Sequence, residues 1–166
     1  LYKLDTNLQR FTMFSLTIIL VPTDFSDQSS NALSYAKELA RPAGATLHLV
    51  HVVEPTVYPA DWGYSQVGFV DLENELRTAA EKELDKMDEQ LRSEGFTVQK
   101  IVLSGRASDE IIKYAEDNHI DLISIATHGR SGIEHLLFGS TTERVLRKAP
   151  CPVLAVRIPP HKASGE

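Results

Sequence analysis

Cysteine occurs once in the chain, as Cys151, so no disulfide can form within it, and a cytoplasmic, reducing home is expected. Cys151 stands between two prolines at the start of an apolar run. That setting suits a buried small hydrophobe better than a reactive thiol, since no neighbour in sequence lowers its pKa. Basic charge is also short: 17 Lys and Arg against 23 Asp and Glu leave a net charge of −6. A general nucleic-acid binder usually needs a basic face, so this balance argues against one while leaving a small anionic ligand open. Long apolar runs are missing, and stretches such as Ile18–Val21 are far too short to span a membrane. No secretory pattern opens the sequence, and "LYKLDTNLQRFT" before Met13 reads as a tag, a processed end or an upstream extension. The lysine-bearing phosphate loop is absent, and "GRSGI" has its serine one place from the spacing of a nucleophile elbow. No metal site is expected. His48 and His51 lie three apart on an expected strand and so point to opposite faces, and His128 and His135 have no further ligand cluster around them.

What the chain does contain is an alternation of strands and helices. Its 166 residues, 42% hydrophobic and 24% charged, suit a single globular domain with a sizeable core. Short β-branched runs predict strands at Leu16–Val21, Thr46–Val53, Thr97–Ser104, Asp121–Thr127 and Pro152–Arg157. A first helix starts at a cap on Ser26 or Asp27 and runs to about Arg41, with Ala32, Leu33, Ala36, Leu39 and Ala40 inward. The longest helix spans 71–94, with Leu72, Leu76, Ala79, Ala80, Leu84, Met87 and Leu91 at helical spacing and Gly95 just past its end. Shorter helices are expected over "SDEIIKYAEDN" and "STTERVLRKA". Residues 1–15 are set aside as an extension, 16–157 form the domain, 54–70 a variable aromatic loop and 158–166 a flexible tail. Tyr58, Trp62, Tyr64 and Phe69 in that loop either pack it onto the body or meet a ligand or partner.

Such alternation implies right-handed crossovers, hence an α/β fold: a mainly parallel sheet of five strands with helices on both faces. Ligands in open sheets of this kind bind beyond the carboxyl ends of the strands, where the strand order reverses. The polar clusters at Pro22–Asp24 and Thr127–Gly132 follow the first and fourth strands and should converge there.

Two readings fit the stretch between the fourth strand and the last helix. Gly129 and Gly132 lie in the turn, and Gly139 precedes the helix, whose free N–H groups and dipole favour an anion. Glycine at 139 would let a phosphate approach the backbone, with Ser140 and Thr141 as hydroxyl donors and Arg130 as a nearby cation. The other reading is self-contained. Ser140-Thr141-Thr142-Glu143 is a capping box in which Ser140 and Glu143 satisfy the helix's own N–H groups, with Glu143 standing where a phosphate would sit.

Four segments together resemble the universal stress protein family: "ILVPTDFSDQSSNALSYAKELA", "LHLVHVVE", "GRASDEII" and "DLISIATHGRSGIEHLLFGSTTERVLRKAPCPVLAV". The resemblance runs from Leu16 to Arg157. It implies the five-stranded adenine-nucleotide alpha-hydrolase-like fold and, for one branch, ATP bound through a glycine, two residues, a glycine, nine residues, then glycine with serine or threonine. Gly129, nine residues, then Gly139-Ser140 match, whereas Ala126 replaces the first glycine and puts a methyl where the backbone might approach the nucleotide. By position the resemblance assigns Asp24 to the adenosine, Pro22 and Thr23 to the adenine wall, and Val52 to the adenine. It sets Gly129, Arg130, Gly139, Ser140 and Thr141 around the phosphates, with Gly132 in the same loop. Many members dimerise through the last strand, and the apolar Val153, Leu154, Ala155 and Val156 give a separate motive for a homodimer, since a bare edge of that kind invites pairing. Three functions stay open: a protein that binds ATP, with or without magnesium, as a regulatory or stabilising ligand; a slow ATPase; and an interaction module without a nucleotide.

Overall fold

The computed structural model of the chain describes residues 15–54, 66–129 and 138–157. These form β1 (Ile18–Pro22), α1 (Asp27–Ala43), β2 (Thr46–Val53), α2 (Gln66–Ser93), β3 (Val98–Ser104), α3 (Ala107–Asp117), β4 (Leu122–Ala126), α4 (Ser140–Lys148) and β5 (Val153–Val156). All pairings are parallel, in the order β3-β2-β1-β4-β5. The expected α/β architecture is therefore the observed one. Successive crossovers step from β1 outward to β3 on one side, then return across to β4 and β5 on the other. The strand order reverses between β1 and β4, and the crevice opens at their carboxyl ends.

The central strands β1 and β4 are apolar and buried on both sides because both faces are covered, whereas the edge strand β3 exposes Gln99 and Lys100. Ile19, Val21, Leu47 and Leu49 pack with Ala36 and Ala40 of α1 and Leu84 and Leu91 of α2. Leu20, Val50, Ile123 and Ile125 pack on the other face with Ile111 and Ala115 of α3 and Val145 of α4. Burying one such Leu or Ile side chain fully contributes about 1.5–3 kcal/mol, so the two sandwiched layers supply the driving force for the fold.

The helices end where local chemistry stops them. Ser26 caps α1 by accepting the Ser29 N–H. The helix then continues through Pro42 to Ala43, two residues past the expected end, because the left-handed Gly44 terminates it rather than the proline. Gly95, at φ 90°, closes α2 with paired bonds from Gly95 N–H to Arg92 O and from Phe96 N–H to Leu91 O. Leu91 and Phe96 then both enter the core, which ties the helix stop to the packing.

Two expectations of the sequence shift. Helix α2 begins at Gln66 and takes in the end of the proposed 54–70 loop, since Gly68 in a helix costs only about 1 kcal/mol relative to alanine. Leu39, Leu72 and Leu76, expected on apolar faces, are exposed, so the buried apolar face of α2 begins at Ala80. Tyr58, Trp62 and Tyr64 lie outside the described residues. Among those described, no helix is long and apolar enough to cross a membrane. Cys151 is half-buried against the α3 and α4 layer, where burial and then the Asp121 charge push its thiol pKa up, consistent with a packing role.

Candidate functional site

The cleft is built first from the turn after β1. The Thr23 hydroxyl accepts the Phe25 N–H at 3.0 Å and meets the Ser29 hydroxyl at 3.1 Å. Asp24 Oδ1 accepts the Ser26 N–H at 3.1 Å and its hydroxyl at 2.5 Å. These short-range bonds hold Phe25 at φ 63°, an uncommon conformation for a bulky residue. The ring of Phe25 stacks on His51 of β2 at 4.5 Å, and His51 Nδ1 lies 2.8 Å from the Thr23 carbonyl. A carbonyl can only accept, so Nδ1 carries the proton and donates. The loop is thereby fastened to β2, and the Asp24 carboxylate is set at the mouth of the sheet.

Gly129, after β4, meets that carboxylate. A Cβ placed on Gly129 would stand 2.5 Å from Asp24 Oδ2, closer than real Cβ contacts come. The two loops that sequence reasoning brought together therefore touch, and any side chain at 129 would require the Asp24 carboxylate to move. Gly139 differs. Its φ of −69° is open to any residue, and among the described residues a Cβ there would meet only the Thr127 carbonyl, at an ordinary 3.6 Å. Packing of the described residues gives no reason for glycine at 139.

The start of α4 corrects the capping-box expectation. The N-cap is Gly139, Ser140 is the first helical residue, and among the described residues no side chain caps the helix. Glu143 instead pairs with Arg147 one turn on, both exposed. The register is set from the sheet: Gly139 N–H donates to Thr127 O at 2.8 Å, and the buried Thr142 hydroxyl donates to Ala126 O at 2.7 Å. Those two bonds fix the helix start one residue before the serine. They also leave its N-terminal dipole facing the cleft, with the first-turn carboxylate of Glu143 paired to Arg147. The start of α3 borders the same cleft, but Glu54 reaches it from the end of β2 and accepts the Ala107 N–H at 2.6 Å. Of these two helix starts, α4's is the one left for an anion.

Ala126 takes a different place from the one its motif position suggested. Ser124, on the same face of β4, donates its hydroxyl to Ala32 O of α1, and Ala126 packs with Ala32 and Val156. The methyl group thus belongs to the α1 side, while the Ala126 backbone borders the cleft.

The described residues enclose a cleft of about 350 Å³. Pro22, Thr23, Asp24, Val52, Ala126, Gly129, Gly139, Ser140 and Thr141 all line it. Arg130 and Gly132 lie outside the described residues. Its apolar wall includes Val50, Ile111 and Ile125, which the sequence reading left in the core. Their signal was available in the period of two along the strands, since Val50 and Val52 share a face. At one end lie apolar side chains and at the other a helix N-terminus, with the Asp24 carboxylate between the two loops. That combination suits a ligand with a flat apolar part, hydroxyl donors and an anionic end.

His48 and His51 do lie on opposite faces, His48 against Tyr114 of α3 and His51 against Phe25. Among the described residues, no cluster of three or more His, Cys, Asp or Glu is placed to hold a metal.

Comparison with known proteins agrees with the geometry. The model of the universal stress protein family matches residues 16–157. Universal stress protein MJ0531 of Methanocaldococcus jannaschii is 34% identical over 144 residues, 85% of this chain and 82% of its own. Universal stress protein MJ0577 of the same organism is 31% identical over 151 residues, 84% of this chain and 93% of its own. The solved structure of MJ0577 matches with a TM-score of 0.77 at 30% identity, covering 87% of this chain and 98% of that one. A universal stress protein solved in complex with cAMP shares the fold, with a TM-score of 0.64 at 22% identity over 86% of this chain and 98% of that one.

Proposed function

The chain belongs to the universal stress protein family, and from that premise we propose that its cleft binds ATP as a regulatory or stabilising ligand. The observation that carries this reading is the α4 start: a helix N-terminus that, among the described residues, has no side-chain cap and stands beside a glycine their packing does not require. The phosphates lie against Gly139, Ser140 and Thr141, where backbone N–H groups and two hydroxyls donate to them. Asp24 accepts hydrogen bonds from the ribose hydroxyls, as a carboxylate at a strand end does in other nucleotide folds. The adenine lies over Val50, Val52 and Ile111, walled by Pro22 and Thr23. Magnesium enters on the phosphates of the nucleotide rather than through a resident cluster of ligands.

Ligand binding of this kind stabilises the folded chain by mass action without any chemistry. The two features that kept a nucleotide-free interaction module open now point elsewhere, Glu143 to Arg147 and the Ala126 methyl to Ala32 and Val156. The reading also includes a homodimer through β5, which is an edge strand of the sheet, and a cytoplasmic home.

Calorimetric titration with Mg-ATP, with GTP as control, tests the ligand. Saturable heat for ATP and none for GTP is expected. An absence of heat at several temperatures, with ligand in the millimolar range, would overturn the reading. A phosphate-release assay on the same material then separates a ligand from a substrate.

A further inference from the structure

The sheet has two edges, and they are not equivalent. Strand β3 is one of them, with β2 on its inner side. Thr97 O accepts from Leu47 N–H and Gly105 N–H donates to Val53 O, so the odd-numbered residues of this segment bond inward. The carbonyls of Val98, Lys100 and Val102 consequently face away from β2. Two of them are taken by side chains from α2. Arg92 Nη2 donates to Val98 O at 2.6 Å, and Arg77 Nη2 donates to Val102 O at 3.2 Å. Between them the Lys100 ammonium pairs with Asp85, also on α2.

The two arginines are held in position by their own helix. Arg92 Nε pairs with Asp88 at 2.7 Å and Arg77 Nε with Glu81 at 3.3 Å, each at i,i+4 spacing. Residues 77, 81, 85, 88 and 92 follow one another at steps of four, four, three and four, so they form a single stripe along α2 that overhangs the strand. A guanidinium can donate through one nitrogen to its carboxylate and through another to a carbonyl, which a lysine on the same stem cannot reproduce. At the opposite edge, β5 bonds inward through Pro152 and Val156. Among the described residues, no side-chain hydrogen bond reaches the backbone of Val153–Val156.

We infer that Arg77 and Arg92 close the β3 edge to strand pairing, and that this edge is a latent surface for the β3 strand of a second copy. An edge strand with free carbonyls is a template for another strand, and two self-pairing edges on one chain would build open-ended assemblies. Occupying alternate carbonyls on β3 removes the acceptors that such pairing needs and leaves β5 as the one edge able to pair.

Sedimentation velocity across a concentration series tests this on the full chain, with far-UV circular dichroism to confirm folding. Arg77→Ala with Arg92→Ala is expected to raise the weight-average mass at least twofold over the unsubstituted protein at the highest concentration, and the rise should grow with concentration. Lys86→Ala with Arg147→Ala, which removes the same charge from exposed positions elsewhere, should leave the mass unchanged. Adding Lys100→Pro to the arginine variant deletes an outward N–H from β3 without breaking the ladder to β2, and should restore the original mass. Unchanged mass in the folded arginine variant, equal association in the charge control, or failure of Lys100→Pro to reverse it would each overturn the inference. If the double substitution unfolds the chain, Arg77→Ala alone, at an exposed side chain, is read by the same criteria.

Discussion

Gly129 and Gly139 occupy the same motif but answer to different constraints. Because the Asp24 carboxylate fills the space beside Gly129, Gly129→Ala displaces that carboxylate from its bonds to Ser26. Gly129→Ala should lower the melting temperature even without nucleotide, by about 1–3 kcal/mol of stability as for other overpacked sites. Gly139→Ala meets no such obstacle, so apo stability should stay within about 0.5 kcal/mol. Its added methyl lies where the phosphates approach, and ATP affinity should fall about tenfold or more, a loss on the order of 1.4 kcal/mol. Paired thermal melts and calorimetry on the two variants separate these outcomes. Equal losses of binding at unchanged stability in both would remove the distinction.

At the level of the element, α4 is aimed by Thr142. Its hydroxyl is buried and donates to Ala126 O, joining the third residue of the helix to the end of β4. Thr142→Val keeps the shape and leaves the carbonyl without that donor, which costs about 1–3 kcal/mol. The helix start should then lose its register on the sheet, and ATP binding should weaken together with stability. Thr142→Ser retains the donor and should restore most of both. A valine variant that melts and binds like the original protein would show that Gly139 N–H to Thr127 O suffices to place the helix.

For the molecule as a whole, two groups make stability depend on pH, in separate windows. Burial of His48 between β2 and α3, beside the Tyr114 hydroxyl at 3.0 Å, pushes its pKa below the ordinary 6.5. The folded state therefore binds this proton less readily than the unfolded chain. The associated stability is present above pH 6.5 and is lost as pH falls from there through the folded pKa. Burial alone would raise the Asp121 carboxyl, but hydrogen bonds from the Thr17 hydroxyl, the Thr17 N–H and the Ile18 N–H outweigh it and hold the group below 3.8. Its stability is present above pH 3.8 and is lost in stronger acid, where β4 releases the amino end of β1. Thermal melts from neutral pH downward should show the first decline flattened in His48→Gln and the second flattened in Asp121→Asn. Parallel curves for variant and original protein would exclude the group concerned. Association through β5 belongs to the same scale: Ala155→Pro removes an outward N–H while sparing the ladder to β4, and should turn a dimer into a monomer by light scattering. A monomeric mass for the unsubstituted protein at micromolar concentration would sink the dimer itself.

Hydrophobic period and turn chemistry made most of the fold legible in the chain. The runs that became β1 and β4 are apolar on both faces because both faces are covered, and with the alternation of strands and helices that pattern points to a parallel sheet between helices. Pro22–Asp24, Gly129 and Gly139–Thr141 could be placed at one sheet edge because their strands end there. The local sequence could not choose between Ser140 and Gly139 as the cap of α4, since both satisfy the same short-range rules. Bonds from Thr127 and Ala126, across the gap from β4, made that choice. Nor could it show that Ala126 turns its methyl to Ala32, that Glu54 occupies the start of α3, or that arginines of α2 cover the edge of β3. Each of these depends on contacts between residues far apart in the chain, and a contact at long range has no signature in the periodicity of either partner. Sequence by itself determined the layers and the ends of the strands; tertiary packing decided which helix start a side chain fills, as Glu54 fills that of α3, and which sheet edge side chains cover, as α2 covers that of β3.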